Sequence, residues 1–171
     1  MATQSKVDYR LYFIGAAAAL CLLSSASTSF AATSTATFSV QVTIVATCTI
    51  NSASALNFGS QGVFTVNVDQ TSTIQVQCTN TTPYTIGLDA GLGTGATVAV
   101  RKMTSGGVTV NYSLYSDSLR TTVWGTTIGT NTVAATGNGA AQSYTVYGRI
   151  PAQTTPAPGT YNDTVTVTVS Y

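Results

Sequence analysis

The sequence holds no histidine and no glutamate, and only 6% of its 171 residues are charged, where roughly a quarter is usual. Without histidine, the commonest general base and metal ligand is missing. Six Lys+Arg against five Asp leave a net charge of +1, so there is no basic footprint for nucleic acid. Low charge combined with 44% hydrophobic residues also argues against disorder. In place of charge stand 33 Thr, 15 Gly, nine Tyr and many Val. Thr, Val and Tyr favour pleated strands, and Gly favours the turns between them. The composition describes a β-rich, uncharged and chemically inert chain.

The first thirty residues read as an export signal. Lys6 and Arg10 form a basic start, Leu11–Leu23 is apolar, and Ser29-Phe30-Ala31 sets small residues around a cut between Ala31 and Ala32. The apolar run is too short for a comfortable membrane span, and no second run follows. A lipoprotein signal at Cys21 is disfavoured because Leu20 precedes it. The remaining 140 residues are enough for one domain with a real core. Their charges are Arg101, Lys102, Arg120 and Arg149 against Asp69, Asp89, Asp117 and Asp163, a balance of zero that promotes association. Cys48 and Cys78 remain, and in an oxidising compartment they are expected to pair. They lack the CxxC spacing of a redox pair.

Period-2 alternation dominates the mature chain. Phe38, Val40, Val42 and Ile44 form one set; Ile74, Val76 and Cys78 another; Tyr84, Ile86 and Leu88 a third. Val108, Val110, Tyr112 and Leu114 follow, then Tyr144, Val146, Gly148 and Ile150, and finally Val165, Val167, Val169 and Tyr171. Shorter candidates are Val63–Val68, Thr97–Met103 and Thr122–Trp124. Apolar and hydroxyl-rich positions alternate, and no capped helical period appears, which predicts an antiparallel sandwich. Asp89–Gly95, Ser105-Gly-Gly107 and Gly137-Asn-Gly139 read as turns, and the proline-rich Pro151–Gly159 as a loop joining the last two strands. Both ends of the mature chain are strand-like and free of Lys, Asp or Pro, the form of edge that invites pairing with another chain. The alternative is that both pair inside their own domain.

Catalysis finds no support. A hydrolase triad lacks its His, and no two of the four Asp are placed together as an acid–base pair. Gly91–Gly95 has no phosphate-loop Lys, and Asp89 beside it is one carboxylate, a poor calcium site. No cofactor or metal is expected. Arg101 and Lys102 are adjacent and should point to opposite faces of a strand, while Asp117 and Arg120 are placed to pair near a turn. A carbohydrate-binding module is a further reading, with Trp124, Tyr115 and Tyr147 as stacking surfaces; Tyr112 and Tyr144 lie in phase with the core, and a lone Trp is more often packing.

The ordered motifs Cys48-Thr-Ile50, Leu56-Asn-Phe-Gly59, Ile74-Gln-Val-Gln-Cys78, Val110–Asp117, Trp124-Gly125, Ser143–Pro151 and Pro158–Tyr171 resemble the spore coat protein U family over essentially the whole mature chain. That family includes pilins of archaic chaperone–usher pili. The resemblance implies an immunoglobulin-like sandwich lacking its last strand, held by a periplasmic chaperone, passed through an outer-membrane usher and completed by strand exchange. It implies residues 1–31 as signal, 32–47 as donor segment and 48–171 as the sandwich domain. Phe38, Val40, Val42 and Ile44 would be the donor plugs. Val165, Val167, Val169 and Tyr171 would be core-facing residues of a groove wall. The implied protein is a homo-polymeric surface pilin of a Gram-negative bacterium serving adhesion and biofilm formation; the alternative within the family is a coat protein without pili.

Overall fold

Five of the six alternating sets form strands, and three further strands arise where alternation is short, weak or absent. The computed structural model describes residues 29–171; the expected basic and apolar parts of the signal lie outside the described residues. Two units divide at Gln41/Val42. Of the first, residues 29–41 are described, and they are irregular chain throughout.

The second unit carries eight strands: β1 (Cys48–Ala53), β2 (Val68–Cys78), β3 (Pro83–Leu88), β4 (Arg101–Ser105), β5 (Val108–Tyr115), β6 (Val133–Thr136), β7 (Ala141–Ile150) and β8 (Val167–Ser170). They form a five-stranded sheet in the order β1-β2-β7-β5-β4 and a three-stranded sheet in the order β6-β3-β8. Every pairing is antiparallel. No helix occurs among the described residues.

The inward faces meet in one core. Ile74 and Val76 of β2, Val110, Tyr112 and Leu114 of β5, and Val146 and Ile150 of β7 pack against Tyr84, Ile86 and Leu88 of β3. Burying each such side chain contributes about 1.5–3 kcal/mol. Trp124 closes the core, only 1% exposed, and its Nε1 donates to the Ile86 carbonyl at 2.8 Å. The result is an immunoglobulin-like antiparallel sandwich. Gly148 is part of this packing: a Cβ there would lie 2.6 Å from Leu56 Cδ1.

The β4–β5 hairpin turns on Gly106 and Gly107, both at positive φ (53° and 87°), the signature of a two-residue turn matched to strand twist. Other expectations shift. Of Val63–Val68 only Val68 enters a strand, while Val63 and Val66 are exposed. Thr97–Met103 contributes only its last three residues to β4, and Thr122–Trp124 makes a single bridge, Val123 to Tyr115. Phe38–Ile44 forms no strand.

Candidate functional site: an open edge of the sandwich

β8 pairs with β3 on one side only, from Thr85 opposite Ser170 to Leu88 opposite Val167. Among the described residues no strand pairs with its other edge. β1 is likewise the last strand of its sheet, and it approaches β8 on that side of the sandwich. The alternating sequence decides which side chains enter the opening. Val165, Val167 and Val169 pack against the core yet remain half-buried, while Thr166, Thr168 and Ser170 face outward. Tyr171 departs from the expected phase. It is 63% exposed beyond the last strand residue, because no strand pairing continues past Ser170 to hold it inward.

A polar knot fixes the chain entering β8. The Asp163 carboxylate accepts from Leu92 N, Thr164 N (each 2.8 Å) and the Tyr112 hydroxyl (2.7 Å). Asp89 Oδ1 accepts from Gly91 N at 3.0 Å and Thr166 N at 2.9 Å. Desolvation pushes the Asp89 carboxyl upward, but the hydrogen bonds from Thr166 and Gly91 and the nearby Arg101 charge outweigh it and hold the pKa below its ordinary value. Burial above all, then the bond to Asp163, pushes the Tyr112 phenol far up, so it stays a donor. Gly91 is required here, since a Cβ would collide with the Asp163 carboxylate.

Arg101 sits beneath this knot, fully buried. It is no ordinary strand residue with its head in water. Its guanidinium donates to the carbonyls of Asp89 (2.8 Å), Val98 (2.8 Å), Leu88 (3.0 Å) and Trp124 (2.7 Å). These acceptors come from loop and strand segments that converge only in the fold, so sequence spacing could not reveal them. The expected Asp117–Arg120 pair is also replaced. Asp117 instead accepts from the backbone N–H groups of Thr121 and Thr122. Arg120 reaches Asp69 at 3.3 Å and lies over the Tyr147 ring, 5.7 Å from its centroid. Tyr115 and Tyr147 are half-buried and Trp124 is in the core, so the three do not form an exposed aromatic platform.

Cys48 and Cys78 are disulfide-bonded, as directly opposed residues of β1 and β2 with Cα atoms 4.1 Å apart. One position further out, Thr47 and Thr79 continue the ladder. Thr79 N donates to Thr47 O at 2.9 Å, and Thr47 N donates to the Thr79 hydroxyl at 2.9 Å. The same hydroxyl lies 3.1 Å from the carbonyl oxygens of Val45 and Thr47. This contact was legible in principle: once Cys48 faces Cys78, antiparallel register places Thr47 opposite Thr79. Before it, Phe38, Val40, Val42 and Ile44 are 87%, 83%, 82% and 77% exposed. Among the described residues no group of three His, Cys, Asp or Glu is placed to hold a metal ion.

The family model of the Spore Coat Protein U domain matches residues 34–168. The chain belongs to the spore coat protein U family. The family is structural rather than enzymatic. Protein U of Myxococcus xanthus is 35% identical over 173 residues, covering 92% of this chain and 94% of that protein. Among solved structures, a chain of the CsuC–CsuE chaperone–tip adhesion subunit pre-assembly complex, from archaic chaperone–usher Csu pili of Acinetobacter baumannii, is similar at 30% identity with a TM-score of 0.56. That match covers 75% of this chain and 40% of the Csu chain, so this spore coat U protein spans well under half of its structural relative. The family and the structural likeness together make it a pilus-type or coat subunit.

Proposed function

We propose that this spore coat U protein is a pilin: a subunit exported through the periplasm with a chaperone, passed through an outer-membrane usher and polymerised on the surface of a Gram-negative cell. One observation carries the reading. The same chain has a sandwich edge with half-covered valines at 165, 167 and 169 and a separate segment with exposed, alternating apolar residues at 38, 40, 42 and 44. An apolar alternation is what a strand needs to cover one face of an opening while its backbone pairs with a free edge. Residues 36–45 include about eight that, at roughly 3.3 Å each, would span some 26 Å. Adhesion and biofilm formation would then be properties of the polymer.

Deleting residues 32–45 tests this directly. Produced with its secretion partners, the truncated chain should fold on the chaperone and yield no filaments by electron microscopy, while the full chain yields thin ones. Filaments from the truncated chain at the full-length level would remove residues 36–45 as the donor. The coat reading is favoured by the near-complete coverage of Protein U. An amorphous surface layer in place of filaments would select it.

A further inference from the structure

We propose that Thr79 acts as a clamp on the root of the donor segment, preventing the segment from closing its own groove and forcing it to be given to a second copy of the chain. The inference rests on the pilin reading above and concerns what makes strand addition intermolecular.

The register sets the geometry. β1 begins where β2 ends, at the Cys48–Cys78 pair, and β3 starts five residues later at Pro83. β8 finishes at that same end, with Ser170 opposite Thr85. A segment leading into Cys48 that also filled its own groove would therefore travel toward this end, in the same direction as β8. Closing in cis sets the segment parallel to β8, whereas a strand from another copy is free to run antiparallel to β8, the slightly more stable arrangement for that edge.

Closing in cis also demands a reversal between the last plug, Ile44, and the first paired residue, Thr47. Only Val45 and Ala46 lie between them. A two-residue hairpin turn needs Gly, Asn or Asp to adopt positive φ, and a β-branched residue followed by Ala supplies neither. Thr79 holds two residues of this stretch, Val45 and Thr47, from the other side. Its backbone N–H and its hydroxyl engage both polar groups of Thr47, and the hydroxyl is in reach of the Val45 carbonyl. Thr79 is itself fixed: its carbonyl accepts from Thr82 N at 3.1 Å, and Gly137 packs so closely on that oxygen that no side chain fits there. The disulfide next door secures the base of the clamp. Turning the segment inward therefore requires breaking the Thr47–Thr79 pairing and building a turn from residues unsuited to it.

The test gives the mature full-length chain the means to turn. One variant inserts Asn-Gly between Val45 and Ala46, a second combines this insertion with Thr79→Val, and a third carries Thr79→Ser, which keeps the hydroxyl. Light scattering after size exclusion reads the monomer fraction, and a fluorescent peptide of residues 36–45 reads whether the monomer's groove is open. The expected result is at least a tenfold rise in monomer for the insertion, a larger one for the combined variant, and wild-type polymer for Thr79→Ser. The monomers should take up the peptide at least tenfold less than the chain lacking residues 32–45. Wild-type polymer in the combined variant overturns the clamp, and so do monomers that bind the peptide freely, since their grooves are unfilled. The deletion chain separates the two ideas: if it polymerises, the donor assignment itself fails, whereas if only the insertion variants behave as wild type, the clamp alone fails.

Discussion

Arg149 grips Asp69 fork on fork, Nε to Oδ1 and Nη2 to Oδ2 at 2.8 Å each, as directly opposed residues of β7 and β2. The bond from Arg149, outweighing desolvation and assisted by the charges of Arg120 and Arg149, holds the Asp69 carboxyl below its ordinary pKa. Both side chains are part-exposed, at 28% and 36%, so water screens much of the attraction. A double-mutant cycle with Asp69→Ala and Arg149→Ala should return a coupling of about 0.5–1 kcal/mol, shrinking as salt is raised. A coupling above about 3 kcal/mol would mean that the pair is far better shielded than its exposure indicates.

Arg101 predicts the opposite scale. Replacing it by Met retains the length of the stem but leaves the carbonyls of Leu88, Asp89, Val98 and Trp124 without their donor. Each unsatisfied buried group costs about 1–3 kcal/mol, so Arg101→Met should lose on the order of 3 kcal/mol or more in denaturant unfolding. Arg101→Lys should rescue little, because a point-like ammonium cannot reach four acceptors spread around a planar fork.

The pH profile should be a plateau with two shoulders. Asp69, Asp89 and Asp117 all have pKa values lowered by folding, for Asp117 chiefly through the Thr122 N–H. Their contribution is present above the unfolded carboxylate value of about 3.9 and is lost as pH falls through the folded values beneath it. Tyr112 and Tyr144 are raised, first by desolvation and then by bonds to Asp163 and Tyr84. Their contribution is present below about pH 10 and is lost as pH climbs past it. With neither His nor Glu in the chain, thermal midpoints should be nearly flat from about pH 5 to 8. A step near pH 6.5 would contradict this.

Removing the cross-link should cost more than any surface pair. Cys48 and Cys78 are 30 residues apart, and a loop of that size constrains the unfolded chain by roughly 3.7 kcal/mol. Cys48→Ala with Cys78→Ala should therefore lower unfolding stability by about 2–5 kcal/mol. Reduction of the wild-type chain should do the same.

The proposed plugs can be checked by their period. Asn at Phe38, Val40, Val42 or Ile44 should each cut polymer yield several-fold, while Ala at Ser39, Gln41 or Thr43 should leave it near wild type. Yields falling equally at both sets would deny that one face of the segment is the functional one.

The sequence carried much of this architecture because period 2 is a strong signal where one face is buried. Ile74, Val76, Tyr84, Ile86, Val110, Tyr112 and Val146 were all in the expected phase and all lie in the core. β1 was not legible: Ile50-Asn-Ser52 does not alternate, five of its six residues are exposed, and a bulge interrupts its register. β6 has four residues, too few for a period to show. Arg101 was hidden for a different reason. A charged residue announces water, and only convergence of four backbone carbonyls, three of them 12 or more residues away, makes its burial tolerable. At the C-terminal end the open edge was readable as a bare, uncharged strand, whereas Phe38–Ile44 forms no strand despite its alternation. That β1 and β8 flank the same opening is a matter of sheet order, which alternation does not encode.

The cross-strand disulfide also has a mechanical consequence. Tension entering along the chain before Cys48 meets the covalent link at the first residue of β1 and passes straight to Cys78, in a strand flanked on both sides by neighbours. The outermost strand is bypassed by the load. Pulling on the N-terminal segment therefore cannot peel β1 from the sheet hydrogen bond by hydrogen bond, the weakest way for a sandwich to fail.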